Sequence, residues 1–194
     1  MHFIGFYNYT VVLTYASLLS AFLGMTFASR GGFGAAILCL IGCGICDAFD
    51  GMVARSKKNR TEDEKSFGIQ LDSLCDVVSF GVFPAYICYH IGVNGVLGWI
   101  ILCAYCICAV ARLAFFNVLE AKRQQVEGGS NKFYRGMPVT TISMLFPLIF
   151  LLNYVLQQNV FVIILHVMLA VVAFLFVLDV KVKKPDISKL FKRK

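Results

Sequence analysis

Charge is the scarcest feature of this 194-residue sequence. Asp, Glu, Lys and Arg make up only 15% of it, whereas a soluble domain carries about 25%. Another 59% of the residues are apolar, more than a soluble fold of this size could hide, since even a domain of ~150 residues leaves about a third of its surface in water. The excess is expected to face lipid. Disordered, disulfide-rich secreted and nucleic-acid-binding classes fit poorly, despite a net charge of +7. Met1 to Thr10 lacks both a basic start and a small-residue cleavage pattern, so the first apolar segment is expected to remain in the mature protein. A zinc site is missing as well: Cys103-Ala104-Tyr105-Cys106 has the spacing of half of one, without a second pair or a suitable histidine. The eight cysteines (Cys39, Cys43, Cys46, Cys75, Cys88, Cys103, Cys106, Cys108) lie almost wholly in apolar stretches, where they are expected to pack as small apolar residues. His90 and His166 are isolated and are assigned no chemistry.

What is present is a series of apolar stretches parted by short polar breaks. A membrane-crossing helix takes ~20 residues, so six would use about 120. The expected spans are 10 to 29, 33 to 54, 68 to 91, 95 to 117, 137 to 157 and 159 to 179, followed by a basic tail over 180 to 194. Ahead of them, the aromatic segment His2 to Tyr9 suits the membrane interface. The chain thus reads as one all-α, polytopic membrane domain over 1 to 194.

Lysines and arginines are retained on the cytoplasmic side. Arg55, Lys57, Lys58, Arg60 and Lys65 follow span two or end it; Lys122, Arg123, Lys132 and Arg135 follow span four; seven more follow span six. The opposite loops hold only Arg30. Both termini are therefore expected in the cytoplasm, with the basic tail also touching anionic headgroups.

Of the eleven acidic residues, Asp47, Asp50, Asp72 and Asp76 lie at the cytoplasmic ends of spans two and three. An ionisable residue inside a span costs at least ~2.5 kcal/mol to insert and is a functional hypothesis by default. Residues three or four apart share a helix face, so Asp47 pairs with Asp50 and Asp72 with Asp76. A short loop makes the two spans antiparallel neighbours, and the acidic faces converge. Carboxylates so placed repel unless a cation compensates them. Oxygen donors alone select hard ions, Mg²⁺ or Mn²⁺ with Ca²⁺ as an alternative, and two ions ~3.5 to 4 Å apart would match the charge. Helix-end carboxylates paired with Arg55 and Lys57 would account for one or two of the four, but not the paired spacing. Gly51, Ala54 and Gly68 add small residues to the same faces, leaving room for a ligand or a neighbouring backbone.

The run Asp47-x2-Asp50-Gly51-x2-Ala54-Arg55, with Gly68-x3-Asp72-x3-Asp76, resembles the signature of the CDP-alcohol phosphotransferases at eight positions. It departs from that pattern in having twelve residues between Arg55 and Gly68, four more than usual. Leu71 to Pro84, Ala111 to Val118 and Tyr134 to Thr140 are similar to segments of the family's phosphatidylserine-synthase branch. Ser73 and Val77 stand where the phosphatidylglycerophosphate branch tends to carry Pro and Lys.

The resemblance implies transfer of the phosphatidyl group from CDP-diacylglycerol to L-serine. It implies metal ligation by Asp47, Asp50, Asp72 and Asp76, with Asp76 also the general base. Gly51, Ala54, Arg55, Gly68 and Thr14 would contact the nucleotide. Arg112, at the end of span four, needs an anionic partner such as a phosphate or the serine carboxylate, unless it snorkels to the headgroups. Asn117, Lys132 and Arg135 are further candidates for that serine and phosphate site. A homodimer is implied too. The nearest rival is a relative with another acceptor, glycerol phosphate or an inositol phosphate; a more distant one is a divalent-cation transporter, which would more often show repeated halves and discontinuous helices.

Overall fold

The computed structural model describes residues 5–6, 9–56, 61–125, 133–179 and 181–183. Each apolar stretch is helical. Helix α1 (Val12–Ser29) and α2 (Phe33–Ser56) form an antiparallel hairpin. Next, α3 (Glu62–Asp76), a π-helical turn (Val77–Val82) and α4 (Phe83–Ile91) follow one another as a single 30-residue apolar segment. After α5 (Gly95–Gln125) come α6 (Ile142–Phe150), extended at both ends by 3₁₀ turns, and α7 (Gln158–Val177). Five segments are long and apolar enough to cross a membrane, and Val139–Tyr154 is a sixth, shorter apolar helix. The protein is an all-helical polytopic membrane protein apart from one small antiparallel ribbon. There β1 (Phe133–Arg135) pairs with β2 (Lys181–Lys183), Phe133 opposite Lys183 and Arg135 opposite Lys181.

Two helices outrun their apolar stretches. The third begins at Glu62 rather than 68, because Thr61 and Glu64 form a reciprocal capping box: the Glu64 N–H donates to Thr61 Oγ1 (3.1 Å) and the Thr61 N–H to Glu64 Oε2 (3.2 Å). Glu62, Asp63 and Glu64 also favour the positive end of the helix dipole. Helix α5 runs to Gln125 rather than 117, since Leu119, Glu120, Ala121 and Lys122 are good helix formers although half of them are charged. Most of the N-terminal interfacial segment lies outside the described residues.

The third segment is the central one: 61% of its apolar window is buried, against 28% for the first, second and fourth. Phe80, Phe83, Ile87 and Cys88 are completely covered. Helix α1 turns Thr14, Ser17, Ala21, Gly24 and Ala28 inward at spacings of three and four, and Gly24 leaves the space that the Phe83 ring fills. Large side chains such as Leu19, Phe22, Leu38, Ile107 and Ile163 point outward, the arrangement a lipid surround stabilises. All eight cysteines are free thiols.

Candidate active site

Asp47 and Asp50, in the last turns of α2, meet Asp72 of α3. Carboxylate oxygens of Asp47, Asp50 and Asp72 lie within 4.8 Å of one another. Asp50 is buried, while Asp47 and Asp72 are half-buried. Carboxylates this close repel one another unless a proton or a bound cation lies between them. Asp72 Oδ1 is buried with no hydrogen-bond partner among the described residues. A buried acceptor without a donor is costly, and clustered hard oxygens satisfied by a divalent cation resolve both the repulsion and the missing donor. The residues present therefore fit such an ion. Asp76, one turn deeper and also buried, interacts electrostatically with the other three.

Gly51 and Gly68 flank the cluster, each one position or one turn from an aspartate, and both are half-buried. Thr14 is buried on α1. The hairpin register, set by Ser20 Oγ donating to the Cys39 carbonyl (3.0 Å) and by Cys43 Sγ against the Ser17 carbonyl (3.3 Å), puts Thr14 level with Ile45 and Cys46, just before Asp47. Ala54 and Arg55 occupy the last turn of α2, with side chains outside the described residues, and Lys132 lies outside them altogether. Arg135 is described only as the backbone of β1.

Asn117 joins the aspartates through α3: Ser73 Oγ donates to its Oδ1 (2.7 Å), and its Nδ2 donates to Gln70 Oε1 (3.3 Å). Arg112 sits five residues earlier on α5. It lines a cavity of about 310 Å³ with Phe115, Gly136, Phe176 and Asp179, and no member of the aspartate cluster is among the lining residues. Its Nε donates to the Met137 carbonyl (3.2 Å). Asp179 is an acidic neighbour that sequence reading misses, because it stands at the very end of the expected last span with no motif around it.

A family model described as CDP-alcohol phosphatidyltransferase matches residues 7–178. The chain belongs to this family. The CDP-diacylglycerol–serine O-phosphatidyltransferase of Saccharomyces cerevisiae is 42% identical over 100 residues, 50% of this chain and 35% of the yeast protein. The protein of the same name from Mycobacterium bovis is 32% identical over 127 residues, 65% of this chain and 43% of its own. An archaetidylserine synthase of Methanothermobacter thermautotrophicus is 32% identical over 133 residues, 66% of this chain and 51% of its own. The chain thus spans from about a third to about half of these relatives' lengths. No solved structure matches it.

Proposed function

We propose that this phosphatidyltransferase moves the phosphatidyl group of CDP-diacylglycerol onto the hydroxyl of L-serine, releasing CMP. What carries the reading is the cluster of Asp47, Asp50 and Asp72, with a buried Asp72 oxygen that has no hydrogen-bond partner among the described residues, at the motif positions of a chain whose relatives bear that activity in their names.

Asp47, Asp50 and Asp72 would hold two divalent cations, Mg²⁺ or Mn²⁺, with Asp76 sharing a ligand role. Bound there, such ions supply positive charge to the diphosphate and to the departing CMP. The chain's own groups do the rest. Asp76 takes the proton of the serine hydroxyl as that oxygen attacks the phosphorus bearing diacylglycerol. The bond from this phosphorus to the CMP oxygen breaks, and CMP leaves with that oxygen. A carboxylate is a weak base for an alcohol, so holding the two reactants in line contributes much of the rate. Thr14, Gly51, Ala54, Arg55 and Gly68 form the nucleotide side. Arg112, Asn117, Lys132 and Arg135 gather the serine carboxylate and phosphate charge.

The distribution of the basic residues supports a cytoplasmic position for both termini and the site. Lipid then enters sideways from the bilayer and serine from the cytosol, and two copies form a dimer. The test is an assay with labelled CDP-diacylglycerol, with and without Mg²⁺ or Mn²⁺, against serine, glycerol phosphate and inositol phosphate. Cation-dependent phosphatidylserine is the expected product, and a phosphorylated acceptor used in preference to serine would overturn the assignment.

A further inference from the structure

Directly after Asp76 the helix leaves α geometry. The Phe83 N–H bonds the Val78 carbonyl, five residues back, and the π-helical turn spans Val77–Val82. Such turns hold one residue more than an α turn and are frequent at functional sites. The reason lies in the sequence. In an α-helix the Phe80 carbonyl would accept from the N–H of residue 84, but Pro84 has none, and its ring crowds that same carbonyl. Phe80 is completely buried, so its carbonyl has no bulk water to turn to.

Tyr105 supplies a donor. Its hydroxyl gives a 2.7 Å hydrogen bond to the Phe80 carbonyl from the facing α5, and its ring is fully buried against Phe176, 5.6 Å between centroids. The flanking residues are tied as well. Ser17 Oγ of α1 donates to Ser79 Oγ (3.2 Å), and Cys106 Sγ lies 3.8 Å from the Gly81 carbonyl. Three consecutive residues of the turn are thus held from neighbouring helices. An extra residue in the turn rotates what precedes it by about 100° relative to α4, and what precedes it is Asp76.

We propose that Tyr105 is a positioning residue for the fourth carboxylate: its hydroxyl takes the place of the N–H that Pro84 lacks and holds open the π turn that aims Asp76 at the aspartate cluster. This rests on the phosphatidyltransferase reading of that cluster.

The experiment compares the full-length wild type, Tyr105→Phe and Tyr105→Phe/Pro84→Ala for kcat, both KM values, thermal midpoint and the Mn²⁺-induced rise in that midpoint. Tyr105→Phe keeps the ring. It should lower kcat about tenfold, leave both KM values within about twofold and at least halve the Mn²⁺-induced rise. In the double variant the new N–H at 84 can close an α-type bond to Phe80. The midpoint should then return to the wild-type value while kcat stays low, because the extra residue of the turn is lost. A purely structural tyrosine gives the opposite, with kcat recovering alongside the midpoint, and that result or an unchanged kcat in Tyr105→Phe overturns the proposal. A wild type that shows the Mn²⁺-induced rise but makes no phosphatidylserine overturns the activity reading instead. The role of Tyr105 is then decided by whether Tyr105→Phe reduces the rise.

Discussion

Ser73 donates a 2.7 Å hydrogen bond to Asn117, tying α3 to α5 between the third and fourth aspartates. Since Asn117 also donates to Gln70 (3.3 Å), both ends of its amide are engaged by α3. The amide oxygen thus has a fixed direction, which a side chain serving only as filler would not need.

Ser73→Ala removes the donor. Polar contacts inside membrane proteins average ~0.6 kcal/mol and reach ~1.7, so the thermal midpoint should fall by a few degrees, at about 2–4 °C per kcal/mol for a chain of this size. Asn117→Ala should in addition raise the KM for serine severalfold while that for CDP-diacylglycerol stays put. Steady-state kinetics with each substrate varied in turn checks this, and a parallel rise of both constants would reduce Asn117 to a helix tie.

Asp72 predicts an inversion between stability and cation response. Its buried Oδ1 lacks a partner among the described residues and its side chain meets Asp50, so the cation-free protein carries like-charge repulsion that Asp72→Asn relieves. The variant should melt higher than wild type in EDTA. Wild type should gain about 2.7 kcal/mol at a hundred times the dissociation constant of the cation, and Asp72→Asn should gain little. Thermal denaturation across a Mn²⁺ titration measures both, and an Asp72→Asn midpoint that climbs with Mn²⁺ as wild type does would remove this residue from the site.

The aspartate site is readable from sequence because carboxylates at i, i+3 and i, i+4 inside apolar runs are costly to insert and serve no packing purpose there, and both pairs do lie on adjoining helices. The apolar runs likewise show where helices cross the membrane. They do not show where helices end, because helicity continues through charged residues such as Glu62 to Lys65 and Glu120 to Lys122 that hydropathy scores as loop. The π turn is harder still: Pro84 announces a disturbed helix, but a kink, a break and a widened turn share that signal until Tyr105 is seen across the interface. The β1–β2 ribbon, three residues a side, is too short to show alternation.

Asp76 separates binding from chemistry. Asp47, Asp50 and Asp72 form the closer group, and Asp76, buried beside it, is assigned the serine proton. Asp76→Asn preserves size and removes the base, so CDP-diacylglycerol should bind within a few-fold of wild type while turnover falls by about 10²–10⁴, the usual worth of general-base catalysis. Equilibrium binding of the labelled lipid beside a product assay tells these apart. Near-normal turnover in the variant would assign the proton elsewhere.

Arg112 is held in a way that lysine cannot copy. Its Nε donates to the Met137 carbonyl (3.2 Å), which orients the planar guanidinium in the cavity it lines together with Asp179. Gly136 contributes twice: its φ of +71° suits glycine, and a Cβ there would stand 3.5 Å from the guanidinium carbon. Lysine keeps the charge but offers a point-like ammonium instead of a rigid fork. Arg112→Lys should therefore raise the serine KM about tenfold, equivalent to ~1.4 kcal/mol, with the CDP-diacylglycerol KM unchanged. Gly136→Ala should shift it in the same direction through the strained backbone and the tight approach of the new Cβ to the Leu178 carbonyl oxygen (3.1 Å), on the rim of the same cavity. If Arg112→Lys left the serine KM and turnover at wild-type values, the cavity between α5 and α7 would not be the serine site, and Arg112 would be a brace for the Met137 backbone.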